Sequence, residues 1–249
     1  MSMQVKTPIE ILDQSAMGFR QWVVVAICIM CMALDGYDVM SIALAGAGMS
    51  AEWGLSKAEL GFLLPLEFLG MAFGLIFIGT LTDLHGRRLV LLLCLAVVSI
   101  GMLAAGYAPN MEFLAVSRVF TGVGIGGILA TATALASEYS NAKNRTLTVI
   151  LVAGGYTFGI YLASIVAGPI LEFYDWRTIF HFGALISLVA LPIVFFLAPE
   201  SVGFLERRRP AGADVRIANT LRRLGHDTRF QMAAHDDDDK PIISPKLLF

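Results

Sequence analysis

Charged residues are scarce in this sequence. Asp, Glu, Lys and Arg make up 15% of its 249 residues, whereas a soluble domain usually contains about 25%. Hydrophobic residues make up 57%, and the mean hydropathy is +0.72. These values exclude an ordinary soluble globular domain and are typical of an integral membrane protein.

Cysteine and histidine are also rare, with three and four residues respectively. Cys28 and Cys31 have the spacing of a redox or metal motif. No further Cys or His completes a tetrahedral set, and a membrane helix can treat a thiol as a small apolar side chain. The sequence contains no Ser/His/Asp set or phosphate-binding loop at a usable spacing. We therefore predict no enzymatic activity, no cofactor, no metal and no nucleic-acid partner.

Long apolar runs are what the sequence has instead. A helix needs about 20 apolar residues to cross a bilayer core about 30 Å thick. Six runs of about this length occur, at residues 22–48, 60–81, 89–108, 111–136, 147–171 and 179–198. They predict an all-α membrane protein with a six-helix transmembrane bundle over residues 21–200. Residues 1–20 form a lead and residues 201–249 a solvated tail or linker, which turns apolar again near its end.

The positions of Lys and Arg predict how the bundle is oriented. On one side of the spans lie Lys6, Arg20, Arg87, Arg88, Lys143, Arg145, Arg207, Arg208 and Arg209. The opposite loops hold Lys57 and Arg177. Because positive residues near span ends stay in the cytoplasm, we predict a multi-pass protein of the cell inner membrane with both termini cytoplasmic.

Four ionisable residues lie within the predicted spans, where each costs at least about 2.5–3.5 kcal/mol. They are Asp35, Asp38, Glu67 and Arg118. At about 1.5 Å per residue, Asp35, Glu67 and Arg118 lie about 20, 16 and 12 Å from their span ends. Asp35 is therefore expected to pair with Arg118, with Asp38 on the same helix face.

Two functions are open to these residues. Arg118 could pair with one carboxylate in a purely structural role, which would lower the cost of burying both charges in the bundle. However, one arginine cannot neutralise all the carboxylates, so one of them could take up and release a proton. The second interpretation predicts a polar pathway for protons and substrate.

Glycine is concentrated in the fourth span, at Gly122, Gly124, Gly126 and Gly127. Glycine is unfavourable within a helix unless a neighbour needs the space. We therefore expect Gly122, Gly124 and Gly126 to form a closely packed or moving helix interface.

The segment from residue 79 to residue 88 reads Gly-Thr-Leu-Thr-Asp-Leu-His-Gly-Arg-Arg. It closely resembles the G-x-x-x-D-R-x-G-R-R loop of the major facilitator superfamily, with Leu84 in place of the first arginine. The residues that match are Gly79, Asp83, Gly86, Arg87 and Arg88. The resemblance implies that Asp83 caps and pairs with neighbouring helix ends and helps to latch an inner gate.

Three further motifs strengthen the resemblance. Arg118, Gly122, Gly124 and Gly126 follow the spacing of the superfamily's fourth-helix motif, whose arginine is associated with proton coupling. Residues 199–201, Pro-Glu-Ser, resemble its marker after the sixth helix. Residues 34–38, Leu-Asp-Gly-Tyr-Asp, resemble the D-G-x-D element of the aromatic acid:proton symporters. Glu67 departs from the family pattern, in which a small or apolar residue is expected at this position. Residues 168–171 lack the paired glycines of the antiporter motif, and this absence favours symport.

The resemblance implies two inverted three-helix repeats forming the N-terminal half of a transporter, with the substrate site between two halves. Its partners would be a small aromatic acid, protons, the lipid bilayer and a missing C-terminal six-helix half, or else a homodimer partner. Two alternatives remain open. The chain could belong to a superfamily porter for sugars or other organic acids, or it could be a membrane scaffold that does not transport.

Overall fold

The computed structural model describes residues 6–210, 212–226 and 230. Most of these residues are helical, and none of them forms a strand. The helices in chain order are α1 (Pro8–Gln14), α2 (Phe19–Trp53), α3 (Lys57–His85), α4 (Arg87–Gly106), α5 (Met111–Tyr139), α6 (Arg145–Phe173), α7 (Arg177–Leu197), α8 (Val202–Arg208) and α9 (Ala213–Leu224).

Helices α2 to α7 are long and apolar enough to cross a membrane. They coincide with the six predicted runs to within a few residues, so the predicted six-helix membrane fold is confirmed. The main difference is α2, which has 35 residues and continues to Trp53. At about 1.5 Å per residue, α2 is longer than an apolar core about 30 Å thick.

The six long helices alternate in direction between two ends of the bundle, which we call the termini end and the far end. At the termini end, α2 begins, α3 is followed by α4, α5 is followed by α6, and α7 ends. At the far end, α2 is followed by α3, α4 by α5, and α6 by α7. Ser56 and Asn110 cap α3 and α5 at the far end, because their side chains accept hydrogen bonds from the backbone of Glu59 and Phe113.

Two closely packed helix pairs relate the first three long helices to the last three. Gly70 and Gly74 of α3 lie against the backbone of α5, and Gly155 and Gly159 of α6 lie against the backbone of α2. A methyl group at Gly70 or Gly159 would overlap a carbonyl oxygen of the neighbouring helix. The pairing of α3 with α5 and of α6 with α2 is the exchange expected of inverted three-helix repeats.

The three glycines singled out in α5 face two different helices. Gly122 lies against the backbone carbonyl of Glu67, and Gly126 lies against that of Met71, both on α3. Gly124 instead faces α4, where an added Cβ would be 3.0 Å from the carbonyl oxygen of Cys94. The glycine-rich stretch therefore lets α5 approach α3 and α4 at the same level.

The lead and the tail contain short helices that pack at the termini end. Ile11 and Leu12 of α1 are buried, and Asn141 Nδ2 donates a hydrogen bond to the Ser15 carbonyl at 2.9 Å.

The prediction that the tail is solvated is wrong for α8 and α9, where Leu205, Ile217 and Leu221 are almost completely buried. The apolar residues of α9 recur every three or four positions and form one packed face, while its arginines remain exposed. The predicted apolar turn at residues 241–249 lies outside the described residues.

Candidate functional site

Arg118 of α5 is completely buried inside the bundle. Its Nη1 lies 2.7 Å from Oδ1 of Asp38 on α2, a contact that is both a hydrogen bond and an ion pair. The same nitrogen is 3.9 Å from Oε2 of Glu67 on α3. Nη2 donates a hydrogen bond to Thr121 Oγ1 at 3.3 Å. Side chains from three helices therefore meet at one guanidinium group.

Aromatic side chains of α2 and α7 lie beside this group. The Arg118 Cζ is 5.1 Å from the ring centroid of Phe180, a cation–π geometry. Tyr37 OH donates a hydrogen bond to the Ile179 carbonyl at 2.9 Å, and the rings of Tyr37 and Phe182 are 6.0 Å apart. Phe180, in the first turn of α7, thus covers the guanidinium with an apolar ring, and Tyr37 fixes the same part of α7 against α2.

The expected pairing of Asp35 with Arg118 is wrong, because Asp38 is the ion partner in the structure. Asp35 lies about one turn earlier on α2 and is 2% exposed. A three-residue difference in depth is only about 4.5 Å, so depth along the helix cannot distinguish the two carboxylates. The rotation of α2 about its axis decides which one faces Arg118.

The site contains more acidic than basic groups. Asp35, Asp38 and Glu67 are each at most 2% exposed, and Arg118 contacts Asp38 and lies near Glu67. One oxygen of each carboxylate has no hydrogen-bond partner among the described residues. The arrangement can bind a proton or a hydrogen-bond donor at the acidic side chains, and it can bind an anion at the guanidinium.

The predicted gate loop forms a second cluster, at the termini end. Arg87 Nη2 lies 2.7 Å from Asp83 Oδ1 and 3.2 Å from Glu138 Oε1. Its Nη1 donates to the Thr82 carbonyl at 3.0 Å. The Arg87 side chain is only 5% exposed, although Asp83 is largely in solvent. We call the set Asp83, Arg87 and Glu138 the termini-end latch.

Glu200 caps α4 within this region. Its Oε1 accepts hydrogen bonds from the backbone nitrogens of Arg87 at 2.8 Å and Arg88 at 3.3 Å. The expectation that Asp83 caps a helix therefore differs from the structure, in which Asp83 pairs with Arg87 and Glu200 is the cap. Gly86 has φ of 98°, and a side chain there would also meet the Glu200 carboxylate.

The other matched residues of the loop have simpler surroundings. The guanidinium of Arg88 donates to the Phe195 carbonyl and lies 5.2 Å from the Phe195 ring centroid. An added Cβ at Gly79 would be 3.9 Å from Ala130 Cβ, an ordinary contact. Sequence reasoning missed Glu138 altogether and gave Glu200 no role, although the Pro-Glu-Ser marker contains it.

The three cysteines are buried and unpaired. In the part of the chain that the structure describes, no group of three or more His, Cys, Asp or Glu residues is arranged to hold a metal ion.

Residues 25–236 match the family model of the Major Facilitator Superfamily. A gallate transporter of Pseudomonas putida is 30% identical over 89% of this chain and 49% of its own length. The 4-hydroxybenzoate transporter PcaK of Pseudomonas putida is 30% identical over 96% of this chain and 53% of its own length. The chain thus spans about half the length of the curated relatives it matches.

Solved structures show the same fold. The proton:xylose symporter XylE bound to 6-bromo-6-deoxy-D-glucose superposes with a TM-score of 0.75 at 19% identity, over 82% of this chain and 49% of that one. An inward-open xylose transporter XylE from E. coli has a TM-score of 0.70 at 18% identity, over 81% and 52% of the two chains.

Proposed function

This chain belongs to the major facilitator superfamily, and from that membership we propose that it is the N-terminal half of a proton-coupled importer of aromatic carboxylates. The observation that carries the proposal is the buried Arg118, which contacts Asp38 and lies near Glu67 at the meeting point of three membrane helices. A buried arginine and surplus carboxylates supply an anion site and proton sites together.

The substrate class is supported by the relatives and by the chemistry of the site. The relatives include transporters of gallate, 4-hydroxybenzoate and benzoate. A guanidinium binds a carboxylate through charge-assisted hydrogen bonds. Phe180 packs over Arg118, so an aromatic side chain stands next to the guanidinium that would bind the carboxylate of a planar acid.

Coupling would follow from competition for Arg118. A substrate carboxylate that binds the guanidinium must displace Asp38, which is then left buried without its counter-charge. Taking up a proton removes that cost. Asp35 lies one turn away and Glu67 lies 3.9 Å from Arg118, so both are close enough to exchange protons with this pair through small movements.

The proposed orientation has the termini end in the cytoplasm of a bacterial cell, with the bundle in the inner membrane. The proposed partner is a second six-helix half that completes the pathway, and a second copy of this chain is the alternative. Exposed aromatic side chains on α3, Phe62, Phe68, Phe73 and Phe77, are available to such a partner or to lipid.

Uptake by a complete transporter tests the proposal. The chain would be joined to the C-terminal half of the gallate transporter of Pseudomonas putida and placed in proteoliposomes. We expect labelled 4-hydroxybenzoate or gallate to accumulate when an inward proton gradient is imposed, and Arg118→Gln to abolish this uptake. The chain alone serves as a control for leakage.

Two outcomes would reject the proposal. Uptake of xylose but not of aromatic acids would indicate a sugar porter. A correctly inserted fusion that moves neither class, or whose uptake is unchanged by Arg118→Gln, would contradict the role given to the buried site.

A further inference from the structure

A compact cluster of charged and aromatic residues lies at the far end, away from the buried site. Arg177, the first residue of α7, binds Glu52 through two contacts, Nη1 to Oε2 at 2.6 Å and Nη2 to Oε1 at 2.7 Å. Its Nη1 also lies 3.0 Å from Asp175 Oδ2. The Trp176 indole donates a hydrogen bond to Glu52 Oε2 at 2.9 Å. Paired contacts of this kind hold an arginine in one geometry.

The cluster has the same construction as the termini-end latch. There, Arg87 is the first residue of α4 and contacts Glu138, the penultimate residue of α5. Here, Arg177 is the first residue of α7 and contacts Glu52, the penultimate residue of α2. Exchanging the two inverted repeats converts α4 into α7 and α5 into α2, and it also exchanges the ends of the bundle. The two clusters are therefore equivalent positions of the repeat.

Smaller features agree with this equivalence. Each arginine has a nearby aspartate, Asp83 for Arg87 and Asp175 for Arg177. Each also donates a hydrogen bond to a backbone carbonyl, at 3.0 Å to Thr82 and at 3.3 Å to Ala108. The Ala108 contact links α7 to the connection between α4 and α5.

The far-end cluster is connected to the buried site through the first turn of α7. Phe180, whose ring lies over Arg118, is one helical turn after Arg177. Ile179, whose carbonyl accepts the Tyr37 hydroxyl, is in the same turn. Fixing Arg177 against the end of α2 therefore fixes the turn of α7 that covers Arg118.

We propose that Glu52, Asp175 and Arg177 form a far-end latch, the inverted-repeat counterpart of the termini-end latch, which keeps the first turn of α7 closed over Arg118. Arg177 is in this sense a positioning residue, because it contacts no residue of the buried site. The proposal does not depend on which substrate the protein carries.

Cysteine labelling of the purified chain in nanodiscs tests the latch, because both faces of a nanodisc are open to reagent. Ser117 precedes Arg118 on the far-end side and is 5% exposed, so Ser117→Cys reports access to the buried site. We expect Glu52→Gln or Arg177→Gln to speed labelling of that cysteine by a charged methanethiosulfonate roughly fivefold to tenfold, because local opening becomes easier. The native cysteines, all buried, set the background rate.

Three controls separate a latch from a general loss of structure. Ser140→Cys, completely buried at the termini end, should label at an unchanged rate in the same variants. Glu138→Gln, which weakens the termini-end latch instead, should leave Ser117→Cys slow. The exchanged pair Glu52→Arg with Arg177→Glu should restore slow labelling at least in part, and Arg177→Lys offers a milder change if Arg177→Gln does not fold.

Two results would overturn the proposal. Unchanged labelling of Ser117→Cys in both Glu52→Gln and Arg177→Gln would reduce the cluster to a surface ion pair. Equal acceleration at Ser117→Cys and Ser140→Cys would show that the cluster stabilises the whole bundle without selectively closing its far end.

Discussion

Asp35 and Asp38 differ in their contact with Arg118. Asp38 is bound to Arg118 at 2.7 Å, whereas Asp35 is buried one turn away without a direct contact to the guanidinium. Removing one member of a buried ion pair exposes the other to the full cost of burial, while neutralising an unpaired buried carboxylate does not. The two aspartates should therefore respond in opposite ways to the same substitution.

We expect Asp38→Asn to destabilise the purified chain by about 3 kcal/mol, because Arg118 loses its closest counter-charge. Asp35→Asn should leave stability unchanged or raise it slightly, because it removes a charge that no cation directly balances. Denaturant unfolding in detergent, followed by circular dichroism, measures both. Adding Arg118→Gln to Asp38→Asn should recover part of the loss. Equal losses from the two single substitutions would contradict this assignment.

Transport should separate the same residues by function. In the fusion with a C-terminal half, we expect Asp35→Asn to abolish accumulation driven by a proton gradient, since an amide keeps the shape but cannot exchange a proton. Exchange of labelled for unlabelled substrate without a gradient should survive. Accumulation as steep as that of the parent, at normal expression, would rule out Asp35 as the coupling carboxylate and leave Glu67 as the next candidate.

Sequence reasoning identified the buried charges but not their partners. A rare ionisable residue in an apolar run is visible without a structure because its cost is intrinsic. The pairing of Arg118 with Asp38 depends on the rotation of α2, and the contact of Arg87 with Glu138 joins residues far apart in the chain. Neither rotation nor a long-range contact leaves a periodic signal in the sequence.

At the scale of helices, backbone contact through glycine is the main packing device. Gly70 lies so close to the carbonyl of Val119 that even a methyl group would overlap it. A Cβ placed at Gly61, nine residues earlier on α3, would have no atom of another helix within 4 Å. The two positions share a helix and a backbone conformation, so they form a matched pair.

We expect Gly70→Ala to destabilise the bundle by about 1–3 kcal/mol, because α3 and α5 must move apart. Gly61→Ala should be neutral or stabilising by up to about 1 kcal/mol, because alanine favours the helix. Unfolding of the two variants under identical conditions compares them directly. A comparable loss at Gly61 would show that helix propensity or lipid contact, and not the α3–α5 interface, dominates.

In the termini-end latch, the two carboxylates that contact Arg87 can be compared with each other. Asp83 is 63% exposed and Glu138 is 21% exposed, although both contact Arg87. We expect Asp83→Asn to change stability by less than about 1 kcal/mol, yet to slow uptake in the fusion because a gate contact is lost. Glu138→Gln should be the more destabilising change, since among the described residues the exposed Asp83 is then the one carboxylate left beside the guanidinium of the nearly buried Arg87. Uptake kinetics unaltered by Asp83→Asn would reject its role in gating.

At the scale of the whole molecule, the fold was the most predictable property. The six apolar runs and the polar loops follow from the thickness of a bilayer, which is a constraint on each segment separately. The helices of the tail were harder to recognise, because α8 and α9 are short and become stable only by packing against the termini end. Local hydropathy was therefore sufficient to predict the six spans, whereas the packing of α8 and α9 could be seen only in the structure.

Positively charged residues are unevenly distributed between the two ends of the bundle. Lys and Arg are concentrated at the termini end, where Arg87 and Arg88 lie in the first turn of α4, Arg145 begins α6, and Arg207 and Arg208 lie in the last turn of α8. At the far end, Lys57 and Arg177 begin α3 and α7. Since the excess of positive residues near span ends marks the cytoplasmic side, we predict that the termini end is cytoplasmic.

Reporter fusions measure this orientation. We expect a reporter fused after Arg88 or after Arg209 to indicate the cytoplasm, because both positions lie at the positively charged termini end. A reporter fused after Asn110, at the far end, should indicate the periplasm. Because α3 and α4 are separated by Gly86 alone, a fusion after Arg88 reports the side of the membrane on which α3 ends. A periplasmic signal after Arg88 or Arg209 would mean that the positive residues cross the membrane, and the six-span topology would have to be abandoned or inverted.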